Sequence, residues 1–193
     1  LDIYIADMTK PMIMYEEWHQ PGSKTMLDGY VIPEGQTGMQ DIRDAVHQLF
    51  LHPNVGPFIG KQLIQRLVTS NPTPEYISRV AAVFADNGQG QRGDMGAVVK
   101  AILLDPEART CAALEDQAFG KLREPFARYT HFTKALPMEQ YYGRYWNVAY
   151  GFYEATNQIP LASRTVFNFF LPDYQPIGPI SDNQLVGPEF QIH

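Results

Sequence analysis

Five histidines, at positions 19, 47, 52, 131 and 193, are the side chains of this sequence best suited to proton transfer or metal binding near neutral pH. Their spacing does not group them. Helical metal pairs stand three or four residues apart, whereas His47 and His52 are five apart, about 500° around a helix, and face different ways. No metal site and no cofactor are expected. Polar residues set in apolar or aromatic surroundings make a better catalytic set: Arg123, Glu124, His131, Arg164 and Asp173. The plainer reading of the same residues is that Arg123 and Arg164 form structural ion pairs with Glu124 and Asp173. Cys111 has no neighbouring His in "RTCAALED" and reads as an inert thiol. No Gly-x-Ser-x-Gly, His-Glu-x-x-His or Gly-x-Gly-x-x-Gly pattern occurs, so no recognisable catalytic motif specifies a reaction.

Two further stretches invite a binding role. "DNGQGQRGD", residues 86–94, resembles neither a calcium loop nor a phosphate loop. Gln91 stands where a calcium loop needs glycine, Ala97 where it needs the closing Glu, and Gly93-Asp94 where a phosphate loop needs Gly-Lys. It reads as a solvated turn in which Asp94 caps the next helix. Residues 126–174 hold 14 of the 24 aromatics, with Tyr145, Trp146 and Tyr150 as candidates for a sugar platform or partner groove. The competing reading makes these rings the core of a small second lobe.

The elements that must position these residues are mainly helical. Ile42, Ala45, Val46, Leu49 and Phe50 recur at helical spacing, with Asp41, Arg43, Asp44 and Gln48 on the other side. Pro53 ends that helix, and His52-Pro53-Asn54 reads as a corner rather than an active-site lip. A second helix turns Phe58, Ile59, Leu63, Ile64, Leu67 and Val68 inward, a third starts at Thr73-Pro74, and a fourth at Asp94. The apolar stripes of the four are expected to bury one another. A fifth helix opens at Arg123-Glu124-Pro125, "YYGRYWNVAYGFYEA" continues as helix, and "SRTVFNFF" reads as a short one. "LPDYQPIGPISDNQLVGPEF" holds four prolines and two glycines, which suits an ordered strap on the surface. Before residue 37, "MIMYEEW" and "TMLDGYVIP" are β-prone runs around a turn, a hairpin or wrapping arm. The expected fold is thus mainly α, a compact multi-helix bundle. It comprises an arm over 1–36, a four-helix unit over 37–110 and an aromatic-rich helical lobe with strap over 111–193, together one domain.

Composition narrows the partners. A formal charge of −6 with scattered Lys and Arg argues against nucleic acid. No apolar run approaches the roughly 20 residues that span a bilayer. The chain starts at Leu1 without an initiator Met, as a piece of a longer polypeptide would. Extended, the arm carries apolar residues on both faces, Ile3, Ile5 and Met12 on one and Tyr4 and Ile13 on the other. A lone hairpin is marginal in water, so it is expected to lie against the rest of its own polypeptide or another copy, and the isolated chain to expose an apolar patch nearby.

In order along the chain, "HPNVGPFIGKQLIQRLVTSNPTPEYISRVAAVF", "DNGQGQRGDMGAVVKAILLDPEAR", "GKLREPFARYTHFTKAL" and "VFNFFLPDYQPIGPI" resemble the C-terminal part of an uncharacterised bacterial family, domain of unknown function 1800. "HQPGSKTMLDGYVIPEG" is similar to the segment that precedes it there. The resemblance implies a mainly helical fold, a longer parent chain with a large helical N-terminal portion, and an extracytoplasmic setting, periplasmic or secreted. The last follows because genes of the family neighbour those of a sulfatase-like exported protein, which is then a candidate partner. No activity is established for the family, so it supplies no catalytic residues. Its members often have His-Asp where this chain has His19-Gln20, which counts against metal binding there. Two functions are therefore expected: a helical protein-interaction or structural module of an exported bacterial protein, or a hydrolase or glycan-processing enzyme whose site the N-terminal portion completes.

Overall fold

A computed structural model of the chain describes residues 9–110, 115–136, 149–159, 162–163 and 165–192. The protein is mainly α, with eight α-helices and one two-stranded antiparallel sheet among the described residues. Two compact units, residues 1–55 and 56–193, divide the chain.

In the first unit the hairpin is shorter than the sequence pattern suggests. β1 (Lys24–Thr25) pairs with β2 (Val31–Ile32), so the pairing falls on the second β-prone run and the residue before it. The reversal between them uses Asp28 and Gly29 at φ 57° and 74°, closed by the Met26 N–H on the Tyr30 carbonyl at 2.7 Å. The first run forms no strand among its described residues; Glu16–Trp18 is a single 3₁₀ turn. α1 (Gly38–Leu51) follows, with the Thr37 hydroxyl accepting from Gln40 N–H. It ends at His52-Pro53-Asn54, a corner as expected. His52 itself spans the turn, its Nδ1 accepting from Asn54 N–H at 3.2 Å and its carbonyl from Val55 N–H at 3.1 Å.

α1 sits the other way round from its periodicity. Asp41 is buried and Asp44, Ala45 and Gln48 are half-covered, while Ile42, Val46, Leu49 and Phe50 are exposed. At about 100° per residue, Gln48 and Ala45 fall within about 40° of Asp41, so the covered side centres on the carboxylate. The expectation that this apolar stripe is buried is overturned, and the cause lies in the polar contacts of Asp41 described below.

The second unit opens with α2 (Val55–Leu67) against α3 (Pro74–Ala85). Gly56 and Gly60, one turn apart, are buried where the two helices meet. A Cβ on Gly60 would stand 3.1 Å from Val80 Cγ1, and one on Gly56 3.3 Å from the Ala81 carbonyl oxygen. Ile64, Tyr76, Val80 and Phe84 form the core here, but Phe58 and Leu67, expected inward, are exposed. The two glycines set the contact face of α2, and Phe58 lies about 160° around the helix from each of them. Leu67 is on the glycine side but is the last residue of the helix. Thr73 caps α3 through Tyr76 N–H at 3.1 Å, with Pro74 in the first turn. Asp94 caps α4 (Met95–Leu104) through Ala97 N–H at 3.0 Å, and the 86–93 loop is the expected turn, with Gly88, Gly90 and Gly93 at positive φ. Val98 and Ile102 of α4 meet α3, whose Tyr76 hydroxyl donates to the Ile102 carbonyl at 2.6 Å. Desolvation pushes the Tyr76 phenol well above its usual range. α5 (Pro106–Arg109) is capped by Asp105, which also takes a two-pronged contact from Arg79 at 2.7 and 2.8 Å.

α6 (Pro125–Ala135) starts where Pro125 suggests, and α7 (Ala149–Thr156) covers part of the aromatic stretch. "SRTVFNFF" is not a helix across its described residues. Thr165 and Asn168 exchange backbone hydrogen bonds, Thr165 Oγ1 accepts from Phe167 N–H, and Asn168 stands at φ 77°. Thr and Asn here offer the backbone side-chain partners and a left-handed conformation that compete with a helix. The tail is ordered, with α8 (Pro179–Asp182) and a 3₁₀ turn over Pro188–Ile192. It does more than lie on the surface, since Pro188, Glu189 and Ile192 are buried.

Candidate functional site

Two groups of residues hold more polar chemistry than their elements require. The first is a knot of charge on residues 16–44. Lys24 Nζ and His19 Nε2 both reach Asp41 Oδ2, at 2.5 and 2.8 Å, and Gln36 Nε2 donates to Oδ1 at 3.1 Å. Lys24 is held in turn by the carbonyls of Gln20 and Gly22, at 2.6 and 3.0 Å. His19 Nδ1 stands 3.6 Å from Glu16, whose carboxylate accepts from Gly38 N–H at 2.9 and 3.1 Å. Gly38 is the first residue of α1, where unpaired amides and the positive helix end favour an anion. Hydrogen bonds from Lys24, Gln36 and His19 hold the Asp41 carboxyl down at about 2, although burial acts the other way. Both His19 nitrogens face carboxylates, so the ring is a fastener here rather than a free base.

This knot explains α1. A carboxylate with three donors waiting on one side outweighs the apolar stripe, because breaking those contacts would strand a desolvated charge. The stripe is left facing outward. Ile42, Arg43, Val46, His47 and Phe50 line a groove of about 430 Å3 on it, with Ile42 47% and Val46 60% exposed. Arg43 and His47 have no ion pair or hydrogen bond among the described residues beyond their helix backbone.

The second group lies in the 56–193 unit and fastens the tail. Lys121 Nζ binds Glu189 Oε1 at 2.8 Å and donates to the Arg66 carbonyl at 3.0 Å. Glu189 is 1% exposed. Gln65 Nε2 reaches the carbonyls of Ser70 and Pro172, both at 3.0 Å. Asn71 clamps Val186 like a strand partner, accepting its N–H at 2.8 Å and donating to its carbonyl at 3.0 Å. Arg66 stacks on Phe170, 4.1 Å from the ring centre, and donates to the Phe167 carbonyl at 2.9 Å. Burial lowers its pKa, against the pull of Glu124 and Glu189.

Of the residues singled out from sequence, Arg123 and His131 come together: the guanidinium donates to His131 Nδ1 at 2.5 Å, both being exposed. Glu124 turns away from them, accepting from Gln158 Nε2 at 2.7 Å, while Gln158 Oε1 takes the Phe126 N–H at 2.8 Å. Asp173 is exposed on the tail segment. Arg164, Tyr145, Trp146 and Cys111 lie outside the described residues, as does the Tyr150 side chain. The four described candidates therefore split into an Arg123–His131 contact, a Glu124–Gln158 contact and a separate Asp173.

Residues 5–190 match the family model DUF1800, a protein family of unknown function. The chain belongs to the DUF1800 family. No curated protein and no solved structure matches it. In this DUF1800 chain sequence reasoning weighed His19 only as a metal ligand and passed over the other fasteners: Lys24, Gln36 and Asp41 in one unit, Gln65, Asn71, Lys121 and Glu189 in the other. One signal was available for Asp41. It follows Thr37 within the first helical turn, a position where a carboxylate is favoured. Nothing in the pattern pairs Asn71 with Val186, 115 residues away.

Proposed function

We propose that this chain is a helical protein-interaction module of an exported bacterial protein, and that the outer face of α1 is its docking surface. The observation that carries the proposal is the inverted helix. Ile42, Val46 and Leu49 face solvent because Asp41 is tied inward, and such an exposed apolar stripe on a soluble domain is unusual without a partner. The occupant that fits is an amphipathic helix of the partner, laid along the groove with apolar residues at helical spacing. Its rim should be acidic. The two polar residues lining the groove, Arg43 and His47, are both basic and neither makes an ion pair among the described residues. The exported setting is supported by the family resemblance.

A photoreactive residue at position 46 of the chain in its native host tests this, with the cross-linked peptides identified by mass spectrometry. Adducts to one amphipathic segment with Asp or Glu beside its apolar stripe support it. No adduct, adducts to basic or non-helical peptides, or an adduct to α1 of a second copy would overturn it.

A further inference from the structure

Independently of α1, the 56–193 unit contains a pocket of about 300 Å3 between the end of α7, the Thr165–Asn168 turn and the tail. We propose that this pocket binds a neutral polyhydroxylated ligand the size of one sugar ring. Among the described residues its polar lining is Asn157, Thr165, Asn168 and Gln191, all uncharged, over an apolar floor that includes Phe170 and Ile192. No Lys, Arg, Asp or Glu among the described residues lines it, so none of those residues compensates the desolvation of a phosphate, sulfate or carboxylate. Carboxamides both donate and accept, as sugar hydroxyls do, and an apolar floor suits the C–H face of a pyranose. The volume lies at the small end of ligand pockets, which run from about 300 to 1,000 Å3.

The carboxamides carry most of the available donors and acceptors, since the Thr165 hydroxyl is engaged within its own turn, accepting from Phe167 N–H at 3.1 Å. The Asn157 and Asn168 side chains make no hydrogen bond among the described residues, and Gln191 uses only its Oε1, accepting from Leu171 N–H at 2.7 Å. Both asparagines stand in the left-handed region, at φ 56° and 77°. Glycine would meet that backbone demand, and does so at Gly88, Gly90 and Gly93. At these two positions the residue also carries a free carboxamide into the pocket wall. Arg66 grips Phe170 at 4.1 Å and the Phe167 carbonyl at 2.9 Å, so the ring is fixed before any ligand arrives.

The test is direct titration of the full chain by calorimetry and saturation-transfer NMR with glucose, galactose and N-acetylglucosamine, and with glucuronate as the charged comparison. At least one neutral sugar should bind with a Kd of about 1 mM, a value natural for a single-ring site. Asn157→Gly and Asn168→Gly keep the positive φ and should each weaken that binding about tenfold, or about 1.4 kcal/mol, with the circular dichroism spectrum unchanged. No binding of any neutral sugar at about 10 mM would overturn the assignment. So would tighter binding of glucuronate, or neutral-sugar affinity unchanged in the double glycine variant. Should a variant fail to fold, the wild-type titration still decides.

Discussion

Gly60 and Val80 should behave as one unit in stability, and the sign of their coupling can be worked out from a single distance. A methyl group added at Gly60 would stand 3.1 Å from Val80 Cγ1, close enough that the valine must shift, and Val80 is 0% exposed. Alanine gains about 1 kcal/mol over glycine inside a helix. Displacing a fully packed valine costs about 1–3 kcal/mol. Gly60→Ala alone should therefore be neutral or destabilising by up to about 2 kcal/mol. Val80→Ala alone removes two buried methyls and should cost about 2–3 kcal/mol, the transfer loss plus a cavity contribution. In the Val80→Ala background the obstruction is gone. Gly60→Ala then keeps its helical advantage and puts a methyl into the space, stabilising by about 1–2 kcal/mol. The double variant should accordingly be more stable than Val80→Ala, with a favourable coupling of about 1–4 kcal/mol. Urea denaturation of the four proteins followed by far-UV circular dichroism measures it. Gly56→Ala supplies the control, because its Cβ would meet the Ala81 carbonyl oxygen at 3.3 Å and backbone cannot step aside. It should destabilise in both backgrounds. Additivity of Gly60→Ala and Val80→Ala within about 0.5 kcal/mol would show that the glycines do not set the approach of α2 and α3.

Asp41 has an ordinary value of 3.8 and lies at about 2 when folded, so its contribution is complete above pH 4 or so and is lost as the pH falls through about 2. The melting temperature of Asp41→Asn should thus lie below wild type at pH 5 and converge with it near pH 2. Asn71→Ala removes two hydrogen bonds to Val186 and should cost about 1–3 kcal/mol, read as faster protease cleavage of the 171–187 segment. Asp94→Ala loses both the α4 cap and the bond from Asn87 Nδ2, and should lower stability by about 1–2 kcal/mol in urea. Asp94→Ser, which can still cap, should recover most of it.

Local signals carried well to the structure. Thr73-Pro74, Asp94 and Pro125 mark helix starts because each acts within one turn of its own position, on amides or φ angles that no distant residue needs to supply. The glycine-rich 86–93 loop was readable for the same reason, since Asp86 and Asn87 side chains satisfy the loop amides from inside the loop. The failures have a common form. "SRTVFNFF" has the composition of a short helix, but the Thr165 hydroxyl and the backbones of Thr165 and Asn168 close a tighter turn. Phe58 belongs to the apolar stripe expected for α2 and is exposed, because small residues one turn apart let α3 approach closest at Gly56 and Gly60, on the other side of the helix. A periodicity count weighs side chains by hydrophobicity and gives glycine no standing, although absence of a side chain is what fixes this contact.

α1 is the sharpest case, and it bears on function. Hydropathy places Ile42, Val46, Leu49 and Phe50 inside, and within a single isolated domain that reading would follow from burial energy alone, about 0.8 kcal/mol for each buried CH2. It fails because the first unit offers the helix a set of donors rather than an apolar surface. Lys24, His19 and Gln36 converge on Asp41, and Glu16 meets the first amide of the helix. Turning the helix over would bury the stripe only by stranding these groups without partners, and each desolvated charge costs more than a methylene returns. The orientation is thus specified by polar contacts and leaves apolar surface uncovered. A sequence that keeps Ile, Val and Leu at helical spacing on an outward face is spending hydrophobicity where solvent gives it no return, which is the pattern expected of a surface that meets another molecule. If the stripe only tolerated solvent, Val46→Glu would leave both stability and cross-linking at position 42 unchanged; on the docking reading it should leave folding intact and abolish the adduct.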